Sequence, residues 1–103
     1  MKLIKMLEEM IEEEIHDAKK YAKLAAEMKD SEPQLAQTFY MISTQEQSHQ
    51  SALHAEVVKI IENYRSIHGD PPLSMQAVYD YLHKKHIDKM AEVRYYQEIY
   101  KGK

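Results

Sequence analysis

Glu46 and His49 stand three residues apart as Glu-x-x-His, and Glu14 and Asp17 place two carboxylates at the same spacing nearer the N-terminus. Residues three apart on an α-helix share a face, so a carboxylate and an imidazole at this spacing can reach one cation. A donor set rich in carboxylates with one imidazole suits hard, oxygen-loving ions, iron or manganese, over copper and zinc. By itself the motif is weak. Acidic side chains number 17 among 103 residues, and one of them before a histidine more often belongs to a solvated face. Its weight depends on which face of which helix carries it.

Glycine and proline are scarce enough, two and three residues, to divide the chain almost unaided. Ser31-Glu32-Pro33 combines an N-cap serine with a proline suited to the first helical turn. Gly69-Asp70-Pro71-Pro72 ends one helix and starts another, and Gly102 marks a last end. Three helices are expected, about 2–30, 32–68 and 73–101. At 1.5 Å per residue they would run roughly 40–55 Å, a length that belongs to bundles. Leu3, Leu7, Met10, Glu14, Asp17, Tyr21, Leu24 and Met28 recur at steps of four and three on the first, flanked by Ile4, Ile11, Ile15, Ala18, Ala22 and Ala25. The second carries Leu35, Phe39, Ile42, Glu46, His49, Leu53, Val57, Ile60, Tyr64 and Ile67 in the same way. Both read as broad apolar stripes with a coiled-coil-like seam. On the third, Val78, Leu82, His86, Met90 and Val93 follow one line and Tyr81, Asp88 and Tyr95 another.

Glu14, Asp17, Glu46 and His49 therefore occupy seam positions where apolar residues are expected. A lone carboxylate among leucines costs several kcal/mol unless paired, protonated or bound to a cation, and several of them converging suggests a cation. Helical bundles build carboxylate-bridged di-iron sites from Glu-x-x-His and a glutamate on a neighbouring helix. Glu14 stands where that bridge would be.

The wider pattern resembles a known family. Glu14-Ile-His-Asp-Ala-Lys-Lys-Tyr21 looks like the first metal-binding helix of rubrerythrins and other ferritin-like proteins. Pro33-Gln-Leu-Ala-Gln-Thr-Phe39 with Thr44-Gln-Glu46-Gln-Ser-His49 resembles their second helix, over about residues 10–55 in all. The resemblance implies Glu14, Glu46 and His49 as metal ligands of a di-iron site and Tyr21 as a hydrogen-bonding residue beside it. Asp88-Lys-Met-Ala-Glu-Val-Arg-Tyr95 echoes the Glu-x6-Tyr element that opens the second half of that fold, with aspartate for glutamate, which makes Asp88 a weaker candidate ligand. A fourth helix with a second Glu-x-x-His should follow, and these 103 residues do not contain it.

The usual di-iron site takes four carboxylates and two histidines, and two copies of Glu14, Glu46 and His49 make that inventory complete. The expectation is an all-α, ferritin-like four-helix bundle completed by dimerisation, a homodimer or higher homo-oligomer with the metals at its interface. Encapsulated ferritins are similar in principle. A third helix completing the site within one chain through Asp88 or Glu92 is the variant of this idea.

The remaining polar residues read more plainly. Asp17 is a supplementary ligand or an acceptor for a ligand imidazole or tyrosine hydroxyl; Glu56 is a surface residue. His83 and His86 share a face and could bind zinc or copper, but they lack a cysteine and an obvious third ligand, and His86 reads as a hydrogen-bonded interior residue. Tyr79, Tyr81, Tyr95, Tyr96 and Tyr100 suit interface packing, and Met6, Met10, Met28, Met41, Met75 and Met90 suit core filling.

Composition narrows the function further. With no cysteine there is no disulfide, thiolate zinc site, iron–sulfur cluster or thiol nucleophile. A formal charge of −3 gives no electrostatic grip on nucleic acid or anionic lipid. The longest apolar runs fall well short of a membrane span or a signal peptide, so a cytoplasmic protein is expected. The family resemblance implies oxidation of Fe(II) by O2 or H2O2 at a shared site, with manganese the alternative metal. Rubrerythrin-like peroxide reduction would need an external electron donor, since rubredoxin holds its iron with cysteines. The competing class is a non-catalytic dimerisation module whose buried polar network fixes helix register.

Overall fold

The computed structural model describes residues 2–102, and these form three α-helices: α1 (Lys2–Met28), α2 (Pro33–His68) and α3 (Leu73–Lys101). The helix boundaries follow from local chemistry. Pro33 occupies the first turn of α2, where its missing N–H has no intrahelical partner to lose. The residue before it is Glu32, which caps α2 without a side-chain hydrogen bond. Ser31, expected to cap α2, lies instead in the turn that follows α1. At the other end of α2, Gly69 adopts φ 79° and ψ −165°, a conformation open in practice to glycine alone, and its N–H closes on the Arg65 carbonyl.

The chain runs up, down and up. α1 packs along both other helices, and α2 and α3 meet through side chains: Tyr40 stacks on Tyr100 at 4.8 Å and Arg65 donates to Gln76 at 2.8 Å. The extents are 55 × 18 × 17 Å. The long axis matches α2, whose 36 residues rise about 54 Å. The radius of gyration, 16.5 Å, exceeds the roughly 13 Å of a compact domain this size. A rod one helix long offers little depth for a core.

That core corrects the expected seam of α1. The buried residues are Ile4, Leu7, Ile11, Ile15, Ala18, Ala22 and Ala25, packed with Val57, Met90 and Val93 and with half-buried Leu53, Ile60, Ile61, Tyr79 and Tyr96. Of the buried α1 residues, all but Leu7 belong to the set expected to flank the seam. Of the α1 seam line, Leu7 alone is buried, while Leu3 and Met10 are 48% and 41% exposed, and neighbouring Met6, expected to fill the core, is 49% exposed. Inside one chain, the stripe that includes Glu14 and Asp17 lies at the margin of the α1–α2 contact. On α3 the expected line holds at His86, Met90 and Val93 and extends to Gln97, whereas Val78 is exposed.

Side-chain size changes along the rod. Its lower part is filled by isoleucine and leucine, and its upper part by Ala18, Ala22, Ala25, Ala36 and Ser43, all fully buried. Small residues let helices approach closely, and one buried network uses that proximity. Ser43 donates to the Ala18 carbonyl at 2.7 Å, and the Gln97 amide donates to Ser43 Oγ at 3.1 Å and to Gln47 Oε1 at 3.2 Å. One amide thereby joins all three helices. Lys29 adds a bond from the α1–α2 turn to the Ile99 carbonyl in the last turn of α3, where a cation suits the helix dipole.

Candidate metal centre

α1 contributes Glu14 and α2 contributes Glu46 and His49, and one donor atom of each lies within 4.8 Å of the other two. His49 Nδ1 is 3.3 Å from Glu14 Oε2 and 3.9 Å from Glu46 Oε2. The convergence has a local and a tertiary part. The i,i+3 spacing puts Glu46 and His49 on one face whatever the fold. Antiparallel packing of α2 on α1 then sets Glu14 opposite them, in the stretch where the Ser43–Ala18 bond holds the two backbones close.

The group is open on the His49 side: the His49 side chain is 58% exposed, against 26% for Glu14 and 21% for Glu46. Two carboxylates this close oppose each other's ionisation when no cation lies between them. The Glu46 carboxyl is pushed up to about 7, first by the hydrogen bond it shares with Glu14, then by burial and the Glu14 charge. Asp17 adds to the rise and His49 opposes it. Below about pH 7 Glu46 keeps a proton that it shares with Glu14, and a cation bound between them would displace it.

The other expected site residues fall as follows. Asp17 is half-buried and acts on the group through its charge. Tyr21 packs its ring on Phe39, centroids 5.8 Å apart, with Lys20 over its face. Asp88 is exposed, on the side of α3 opposite its buried line, and does not join the three ligands. Glu92, the alternative on that helix, pairs with Lys19 at 2.9 Å. Glu56 pairs with Lys59 on the surface.

His86 is interior, as expected, but its Nε2 forms no hydrogen bond; it faces Glu8, a residue the sequence reading passed over. The available signal was the place of Glu8 beside Leu7 on α1, which periodicity alone assigns as readily to the surface.

No protein-family model matches the chain, and no curated protein or solved structure matches it.

Proposed function

We propose that this protein is a ferritin-like di-iron binder in which Glu14, Glu46 and His49 form half of a metal site, and that two subunits complete it. The observation that carries this reading is the convergence of those three donor atoms within 4.8 Å on the one side of α1 where large apolar residues remain uncovered. The donor set fits iron: an oxygen-rich pair with one imidazole, and a His–Glu separation of 3.3 Å close to that of two ligands on one ion. Leu3, Met6 and Met10 on α1 and Leu35 on α2 are exposed along the same stripe. Pairing it with a second copy would bury them and double the donors to four carboxylates and two histidines, the inventory of such sites.

Fe(II) is the substrate in this reading, and manganese the alternative metal. Two Fe(II) give two electrons to one O2, which takes up two protons and leaves as H2O2. With H2O2 as oxidant, the same two electrons and two protons yield two waters. The chain's own residues hold and orient: Glu14 and Glu46 supply negative charge that favours Fe(III) over Fe(II), His49 supplies the single nitrogen donor, and Asp17 adds charge nearby. The shared proton of Glu46 and Glu14 must leave for metal to enter. Peroxide reduction by an external electron donor would use the same site.

Analytical ultracentrifugation with metal analysis tests the reading. The expected result is a dimer carrying two irons, with Fe(II) oxidation lost in Glu46→Ala. A monomer that binds two irons per chain would overturn the shared site, as would metal binding untouched by Glu46→Ala. A metal-free dimer with full thermal stability in EDTA would instead mark a non-catalytic interaction module.

A further inference from the structure

Glu8 Oε2 and His86 Nε2 are, among the described residues, the buried side-chain polar atoms that have no hydrogen-bond partner. They lie 3.3 Å apart, on α1 and α3, and the His86 side chain is 4% exposed. At that distance a hydrogen bond would form if the groups were aligned for one, and they are not. Native interiors rarely leave such atoms unmatched, and each case calls for a cause.

Two cavities border His86, and one of them also borders Glu8. One of about 220 Å³ is lined by Glu8, His54, His83 and His86, and His54, His83 and His86 also line a second of about 260 Å³. His54 of α2 and His83 of α3 stack at 5.1 Å with their planes 22° apart. Three imidazoles and the Glu8 carboxylate thus border a common space between all three helices, whose wall also holds Glu62, Asp80 and Arg65. Glu12 is nearby, 4.0 Å from His86 Nε2, but Lys85 holds it at 3.1 Å. Burial, foremost, pushes the Glu8 carboxyl up and the His86 imidazole down, so the surroundings disfavour a simple ion pair of the two.

We propose that Glu8, His86 and one or both of His54 and His83 form a site for a divalent cation of the zinc class, fastening α3 to α1 and α2. Zinc binds imidazole nitrogen and carboxylate oxygen at about 2.0–2.2 Å, and two such ligands at a tetrahedral angle are about 3.3 Å apart, the separation of His86 Nε2 and Glu8 Oε2. Imidazole-rich donors separate this site from the oxygen-rich group at Glu14, Glu46 and His49 by metal preference as well as place. Neither His54 nor His83 places a ring nitrogen within 4.8 Å of both Glu8 and His86 donor atoms, so closing the shell takes a rotation of His83, which is exposed, or of the half-buried His54. The fastening has an object: between Leu73 and Lys85, α3 contributes no fully buried residue.

The test is titration of the full chain carrying Glu46→Ala and His49→Ala with Zn²⁺ alone, and with Co²⁺ as a spectroscopic probe. One Zn²⁺ per chain, a raised Tm and the intense visible bands of tetrahedral Co²⁺ are expected. Glu8→Gln and His86→Gln should each weaken binding by more than the roughly 10–100-fold that loss of an outer hydrogen-bonding partner costs. The double variant His54→Ala/His83→Ala, which alters no fully buried ring, should do the same. It carries the test if His86→Gln unfolds, with circular dichroism reporting helix content. Absence of stoichiometric Zn²⁺ binding would overturn the proposal. So would binding that survives both Glu8→Gln and the double histidine variant.

Discussion

Two regions of this molecule set an imidazole nitrogen 3.3 Å from a glutamate oxygen, and they differ in almost everything else. At the α1–α2 margin the His49 side chain is 58% exposed; between α1 and α3 the His86 side chain is 4% exposed. The same pair of groups therefore faces opposite problems. His49 keeps much of its hydration and Glu14 about a quarter of its exposure, and in the proposed function a second set of donors completes them. His86 and Glu8 have lost their hydration and lack anything to replace it. The open group suits the shared site of the proposed function, while the closed unmatched pair suits something small enough to enter.

The sharpest way to break the comparison is to remove one carboxylate from the open group. Glu14→Ala should abolish stoichiometric Fe(II) binding, read by metal analysis, while leaving the thermal midpoint of the metal-free chain close to that of the parent. A large loss of stability would mean that the group supports the fold rather than a metal.

The next effect compares the two stripes of α1. Ile11 is fully buried, and Ile11→Ala should cost about 2–5 kcal/mol in denaturant unfolding by emptying core volume. Met10, one residue away and 41% exposed, should cost the isolated chain no more than about 0.5 kcal/mol on replacement by alanine, yet weaken self-association in sedimentation. Equal effects of the two on folding would refute the assignment of the stripes.

A smaller loss is expected at the three-helix network. Gln97→Leu leaves Ser43 Oγ and Gln47 Oε1 without their donor, and should cost about 1–3 kcal/mol, measurable by chemical denaturation.

The smallest effect is a pH dependence. In the metal-free protein Glu46 titrates at about 7 instead of 4.5, so between these values the folded chain holds a proton that the unfolded chain has released. This raised value contributes stability that is complete below about pH 4.5 and is lost as pH rises through about 7. His86 has the opposite sign. Its depressed pKa means that the unfolded chain takes up a proton first, so its contribution is present above the ordinary histidine range and is lost on acidification. Comparing Tm against pH for the parent and for Glu46→Gln isolates the first. The variant should lose the decline between pH 5 and 7, and an unchanged profile would refute the shared proton.

Much of the architecture was legible without coordinates. The three helices, their breaks at Pro33 and Gly69, and the pairing of Glu46 with His49 all depend on interactions within a turn or two of the chain, where proline, glycine and 3.6-residue periodicity act directly. The placement of Glu14 beside them was also readable, because a short turn forces α1 and α2 to run antiparallel. Less legible was the side of α1 that packs. Leu3, Leu7, Met10 and Glu14 form one stripe, and Ile4, Leu7, Ile11 and Ile15 form another rotated by a single residue; both are apolar enough to bury.

The amino-acid sequence by itself determined three long helices and a Glu-x-x-His on one helical face, since those follow from short-range sterics and hydrogen bonding. Only the tertiary structure decided that Ile11 rather than Met10 enters the core, and that Glu8 meets His86 from nearly the other end of the chain. The physical reason is that burial depends on which surfaces the remaining helices cover. α2 and α3 together cover the Ile4–Ile15 side of α1, and in doing so leave Leu3 and Met10 exposed and Glu14 half-buried at the α1–α2 margin.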